Sequence, residues 1–214
     1  MNNVYENNMR FLPFLKFLDK YKKIIIGISI SLILAITYFI VTNQIQKQNN
    51  EEASVVYSDW LKEISNETPN DDILNKILGK LLKDYKNTGY TKLALMSKAN
   101  FDANLNKSEE ALKNFKILID LSDGYRGNKI FNKMARVSAS RILLSLDRND
   151  EALRMIEKFS SSSTNGFIHE LTGDILLKQQ KNNLAIVQYK LAAEKYTDET
   201  SKSIISMKIS NIGN

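Results

Sequence analysis

The chain has 214 residues, 30 Lys or Arg against 24 Asp or Glu, and no cysteine, which excludes disulfides, thiolate nucleophiles and Cys-type metal sites. Its net charge of +6 is unevenly spread: residues 1–50 carry six Lys/Arg and two Asp/Glu (+4), and residues 51–214 carry 24 and 22 (+2). Two thirds of the excess thus lies in the first 50 residues and not on the larger part of the chain, and with no basic-aromatic cluster there a nucleic-acid binder is not expected.

Residues 1–23 form a basic leader, with Arg10, Lys16, Lys20, Lys22 and Lys23 against Glu6 and Asp19. Inside it Phe11, Leu12, Phe14, Leu15 and Leu18 alternate with Lys16 and Lys20. Two readings stand side by side. One is a short amphipathic helix on a membrane surface, with Pro13 in its first turn. The other is a basic topology signal with apolar neighbours.

Residues 24–41 read IIIGISISLILAITYFIV, eighteen residues without a charge. A helix of that length covers about 27 Å, close to the roughly 30 Å hydrocarbon core of a bilayer. One transmembrane helix is therefore expected here. Lys47, Glu51, Glu52 and Asp59 follow it, a far less basic flank than the leader. Basic flanks stay cytoplasmic, so the N-terminus is expected inside and the C-terminal part outside, in the periplasm if the cell is a bacterium. The leader is too long for a signal peptide, and Thr42-Asn43-Gln44-Ile45-Gln46 offers no small-x-small cleavage site. An uncleaved single-pass anchor is the expectation. Gly27, Ser31 and Ala35 recur at i, i+4 and i+8, a stripe that would let a second membrane helix approach closely. Tyr38 and Phe39 suit the outer interface. Residues 42–50 read as a linker to a domain over residues 51–214.

That domain reads as all-α. The chain has two prolines, Pro13 and Pro69, and apolar residues recur at helical spacing, as in Leu93, Met96, Ala99 and Ala103. Turn signals fall at Asn104-Leu105-Asn106-Lys107-Ser108, Asp147-Arg148-Asn149-Asp150 and Lys181-Asn182-Asn183. Each is short, so neighbouring helices are antiparallel. Residues 51–88 read as a degenerate helix pair split at Pro69, with Trp60 in its packing surface. Ser160-Ser161-Ser162-Ser163 reads as a flexible connector. Residues 198–211 read as a terminal capping helix, opened by Thr197-Asp198-Glu199.

A repeat underlies these pairs. Small residues twelve apart are followed by an aromatic or apolar residue four later and a small or apolar one three beyond: Ala99, Ala111, Phe115, Leu118; Ser140, Ala152, Ile156, Phe159; Gly173, Ala185, Tyr189, Ala192. This spacing resembles the tetratricopeptide unit, whose two helices touch at the small residues. Ala111 and Ala152 are 41 residues apart, and Ala152 and Ala185 are 33 apart. Extra loop at Ser122-Asp123-Gly124-Tyr125-Arg126-Gly127-Asn128 accounts for the longer step. One membrane helix followed by a tetratricopeptide-like solenoid of antiparallel helix pairs is the expected fold.

Catalytic groups are scarce. His169 is the one histidine, so with no cysteine a zinc site is not expected, and a packing or surface role suits it. No serine sits in a strained nucleophile turn. Glu109-Glu110 and Asp150-Glu151 open helices, where carboxylates favour the positive dipole end. No glycine-rich phosphate loop exists. The expectation is a non-catalytic protein without cofactor or metal. Stacked helix pairs instead form a groove lined by their first helices. By position in the unit, Asn100, Arg141, Glu170 and Asp174 are candidate groove contacts.

Three segments carry a family resemblance: Ser140-Arg141-Ile142 followed by Asp150-Glu151-Ala152-Leu153, then Glu170-Leu171-Thr172-Gly173-Asp174, and Met207-Lys208-Ile209-Ser210-Asn211-Ile212. On them, and on its layout, the whole chain resembles the ancillary SecYEG translocon subunit family, the YfgM-like membrane-anchored tetratricopeptide proteins of Gram-negative bacteria. It departs from that pattern at Glu6-Asn7-Asn8, where the family's acidic cluster is reduced. It departs again at Gln180-Lys181, where a turn glycine is usual. The resemblance implies a non-catalytic accessory in the bacterial inner membrane. Its implied partners are the SecYEG translocon, the membrane-anchored periplasmic chaperone PpiD, and unfolded secretory polypeptides. An envelope-assembly or cell-division scaffold unrelated to translocation is the alternative.

Overall fold

With few glycines and two prolines to interrupt it, most of the chain has nothing to break a helix, and the computed structural model is all-helical. The structure describes residues 3–124, 127–160 and 165–212. Among these are nine helices: α1 (Asn3–Ile64), α2 (Asp71–Asp84), α3 (Gly89–Asn104), α4 (Ser108–Ser122), α5 (Lys129–Ser145), α6 (Asn149–Ser160), α7 (Gly166–Lys178), α8 (Asn182–Lys195) and α9 (Glu199–Ser210). The connector at Ser161–163 lies outside the described residues, as do Tyr125 and Arg126 of the extra loop. The chain divides into two units, Met1–Glu52 and Ala53–Asn214.

The first unit is helix. Side chains of the apolar run are exposed, Ile28 at 63%, Leu34 at 65% and Phe39 at 63%, so the run has no protein to bury it. Among the described residues α1 is the one helix long and apolar enough to cross a membrane, by length and composition. An added Cβ at Gly27 would meet nothing within 4 Å, so that position of the small-residue stripe is open. Two details differ from the sequence reading. Pro13 lies inside α1, not in a first turn. Residues 42–50 are helical where a linker was expected. Their polarity predicts exposure, but no glycine or proline lies between Gly27 and Pro69 to end the helix.

In the second unit, Pro69 falls in the gap between α1 and α2, and Asn70 caps α2 by accepting from the Asp72 and Ile73 amides. Thr88, Asn128, Asn165 and Asp198 cap α3, α5, α7 and α9 in the same way. From α3 onward each helix packs on the next, and the first helices of successive pairs touch, α3 with α5 and α5 with α7. One apolar core runs from Ala53, Val56 and Trp60 to Leu171 and Ile175. A smaller one gathers Leu176, Ala185, Tyr189, Ala192 and Ile205 beneath α9.

The three turns within pairs share one geometry. Asn106, Asp147 and Gln180 have φ of 58°, 55° and 60°. After each, an amide bonds back five residues: Lys107 to Asp102, Arg148 to Leu143, Lys181 to Leu176, all at 2.9 Å. This is the Schellman ending, in which the left-handed residue is ordinarily glycine. Asn and Asp tolerate that conformation better than Gln does. Gln180→Gly is therefore expected to stabilise the domain by about 0.5–1 kcal/mol, read as a higher urea midpoint at unchanged m-value. Asn106→Gly should gain less.

Candidate functional site

The repeat's small residues are buried within the helix pairs. Ala99, Ala111, Ser140, Ala152, Ala185 and Ala192 are fully buried, and Gly173 is buried. Ser140 Oγ donates to the Ala152 carbonyl at 2.9 Å, so the hydroxyl is satisfied across the crossing. At Gly173 an added Cβ would lie 2.6 Å from Tyr189 Cε1, so only glycine lets α7 meet that ring. Phe115 and Tyr189 fill the space beside these crossings, at 1% and 0% exposure.

Close crossing turns the other face of each first helix outward. Between α5 and α7 this leaves a cleft of about 430 Å³ lined by Arg141, Leu144, Phe167, Glu170, Leu171 and Asp174, with Asp147 and Lys178 at its edge. Three of the four candidate contacts, Arg141, Glu170 and Asp174, thus share one cleft. Asn100 is exposed on α3 and lines no part of it. The Arg141 guanidinium lies over the Phe167 ring, 5.9 Å from its centroid, within cation–π range.

The two acids of α7 are held from behind. Lys208 on α9 reaches Glu170 Oε1 at 2.8 Å and both Asp174 oxygens at 2.7 and 2.9 Å. Tyr196 donates to Glu170 Oε2, and Tyr189 donates to Asp174 Oδ1 at 2.7 Å. Burial alone would raise the Glu170 carboxyl, but the Lys208 ammonium and Tyr196 hydroxyl outweigh it and hold it below the usual value. Burial pushes the Lys208 ammonium down, and its two carboxylate partners more than reverse that, leaving it above the ordinary lysine range. Burial, then the neighbouring carboxylates, push both tyrosines up.

A depressed carboxyl adds stability above its unfolded pKa and loses it as pH falls through the folded one. A raised lysine adds stability below its unfolded pKa and loses it as pH rises through the folded one. The α9 anchorage should therefore be strongest between the carboxylate and lysine ranges. Hydrogen-exchange protection factors of α9, corrected for intrinsic rates, are expected to fall as pH drops below the Glu170 value, and Glu170→Gln should weaken that dependence.

Sequence reasoning missed Lys208 as a partner of this cleft, although it stands in the Met207–Ile212 motif. It also missed a buried charge network. Lys98 and Asp102 on α3 are 2% and 0% exposed and bond to each other. Lys98 Nζ also lies 2.9 Å from Asp71 on α2, Lys107 lies 2.5 Å from Asp71, and Asn114 on α4 donates to Asp102 at 3.0 Å. Lys107 and Lys98 hold the Asp71 carboxyl below its usual value. His169, 4% exposed, has Nδ1 2.8 Å from Gln188 Oε1 on α8, a packing position between two helices. Among the described residues no three His, Cys, Asp or Glu side chains are grouped to hold a metal.

A family model described as a tetratricopeptide repeat-like domain matches residues 16–214. Among curated proteins, the ancillary SecYEG translocon subunit of Buchnera aphidicola subsp. Schizaphis graminum (strain Sg) is 26% identical over 122 residues. The alignment covers 56% of this chain and 58% of that protein, so the chain spans little more than half the length of the curated relative it matches. No solved structure matches.

Proposed function

Because the chain belongs to the tetratricopeptide repeat-like domain family, we propose that it works by holding other proteins, as a non-catalytic accessory of the Sec translocon. The observation that carries this reading is the similarity to a protein named an ancillary SecYEG translocon subunit. The layout supports it. One unburied apolar helix fits a single-pass inner-membrane protein, and the packed repeats that follow offer a cleft.

In this reading the leader is cytoplasmic and the repeats are periplasmic. Helix α1 stands beside SecYEG, with Gly27, Ser31 and Ala35 against a translocon helix. The face of α3, α5 and α7 receives a chaperone of the PpiD kind or an emerging secretory chain.

Photo-crosslinking in native membranes tests this, with probes at Ser31 and Arg141. Adducts to SecY from Ser31, and to a chaperone or secretory chain from Arg141, are expected. Capture from both positions of peptidoglycan-synthesis or division proteins alone would sink the translocon reading and favour an envelope scaffold.

A further inference from the structure

The face that α3, α5 and α7 turn outward is unusually apolar. Leu93, Met134 and Phe167 each stand six residues before the small crossing residue of their helix, and they are 41%, 50% and 37% exposed. Ile130, one turn before Met134, is 71% exposed. On α5 the sequence Ile130, Met134, Val137, Arg141, Leu144 keeps a 4-3-4-3 spacing, which makes one stripe along a helix. Four members of that stripe are apolar and its fourth is a cation. Three repeats sharing an exposed apolar residue in one register form a patch of the kind that marks an interaction site.

Charge decides what suits the patch. Three carboxylates share the cleft with Arg141, and each is already held: Asp147 by Lys178 at 3.4 Å, Glu170 and Asp174 by Lys208. Among the described residues Arg141 has no ion-pair partner. Its guanidinium lies over Phe167, 5.9 Å from the ring centroid, and is exposed to a ligand. A guanidinium beside an aromatic ring, with Leu144 and Leu171 in the same cleft, is matched by a carboxylate, which can take two parallel bonds from it.

We infer that the Arg141 stripe binds a polypeptide segment in which apolar side chains flank a single acidic one, the carboxylate seated on Arg141 and the apolar groups on Met134, Phe167 and Leu144. This rests on the reading of the repeats as a protein-holding domain and names the chemistry of what they hold. A basic segment is repelled by Arg141 and finds the carboxylates of the cleft already ion-paired.

The test uses the full-length chain in lipid nanodiscs and three fluorescein-labelled amphipathic peptides. They are identical except for Glu, Gln or Lys at the centre of the apolar face. Fluorescence anisotropy at fixed ionic strength should rank them Glu, then Gln, then Lys, with about tenfold or more between the ends. Arg141→Glu should invert the order. Met134→Asp should weaken the Glu peptide without inverting it. Both positions are exposed, so the fold tolerates the changes, and an unchanged circular dichroism spectrum verifies that. Equal affinities, an order that survives Arg141→Glu, or no binding of any peptide would each overturn the inference. None of these bears on crosslinking from Ser31 to SecY, which stands or falls separately.

Discussion

Lys98→Met is expected to cost the domain about 3–5 kcal/mol, because it strands a buried carboxylate. Asp102 has no exposed surface, and without Lys98 it keeps the Asn114 amide as a hydrogen-bond donor and the Lys107 ammonium only as a longer-range charge. Asp102→Leu should cost less, because the Lys98 ammonium keeps Asp71 at 2.9 Å. The double variant removes both charges, and well-packed apolar side chains of similar volume often replace such a pair at little net cost. It should therefore be more stable than either single variant, with a coupling of several kcal/mol. Trp60 is the sole tryptophan and fully buried in the core that includes Ala99 and Leu95, so urea unfolding followed by its fluorescence reads the relevant region. Additive losses below about 1 kcal/mol would show that the pair is electrostatically idle, as exposed pairs commonly are.

The Lys98 network also shows where the sequence stops being readable. Lys98 and Asp102 are four apart on one helix, a spacing that usually means a solvated surface pair. Their partners lie on other helices: Asp71 on α2, some 27 residues before Lys98, and Asn114 on α4. Periodicity within a helix cannot reveal a partner on another. The same holds for Lys208, which meets Glu170 and Asp174 across 38 and 34 residues. The crossing residues were legible because the demand at each is local and steric: two backbones approach, and only Gly, Ala or Ser fits. From that register followed the helix face carrying Arg141, Glu170 and Asp174, which line one cleft. Phe167 and Met134 stand on the same face and drew no notice in the sequence, since exposure of an apolar side chain has no signature of its own. A turn was expected beside Gln180, but its left-handed conformation was hidden for a different reason. Its left-handed backbone is held by the flanking helices, against the preference of the residue.

Tyr189→Ala should be as damaging as the loss of Lys98, at about 3–5 kcal/mol for a fully buried aromatic side chain. Its reach is wider. The ring packs on Gly173 of α7, its hydroxyl donates to Asp174, and the Lys208 ammonium sits 5.6 Å above its centroid. One residue of α8 thus ties together α7 and α9. In a repeat array each unit draws its stability from its neighbours, so the damage should be graded along the chain. Hydrogen exchange should show α7, α8 and α9 losing protection first, while α3 and α4 stay nearer to wild type. Tyr189→Phe separates the parts. It keeps the ring against Gly173 and removes only the bond to Asp174, a loss of about 1.5–3 kcal/mol for a hydrogen bond to a charged group. If Tyr189→Ala instead lowers protection equally from α2 to α9, the domain unfolds as a single cooperative unit. The cleft would then lose Arg141 and Phe167 together with the helix that pins its acids. If the loss is graded, α5 keeps Arg141 in place after α9 has let go, and the peptide assay would read a weakened but still acid-selective site.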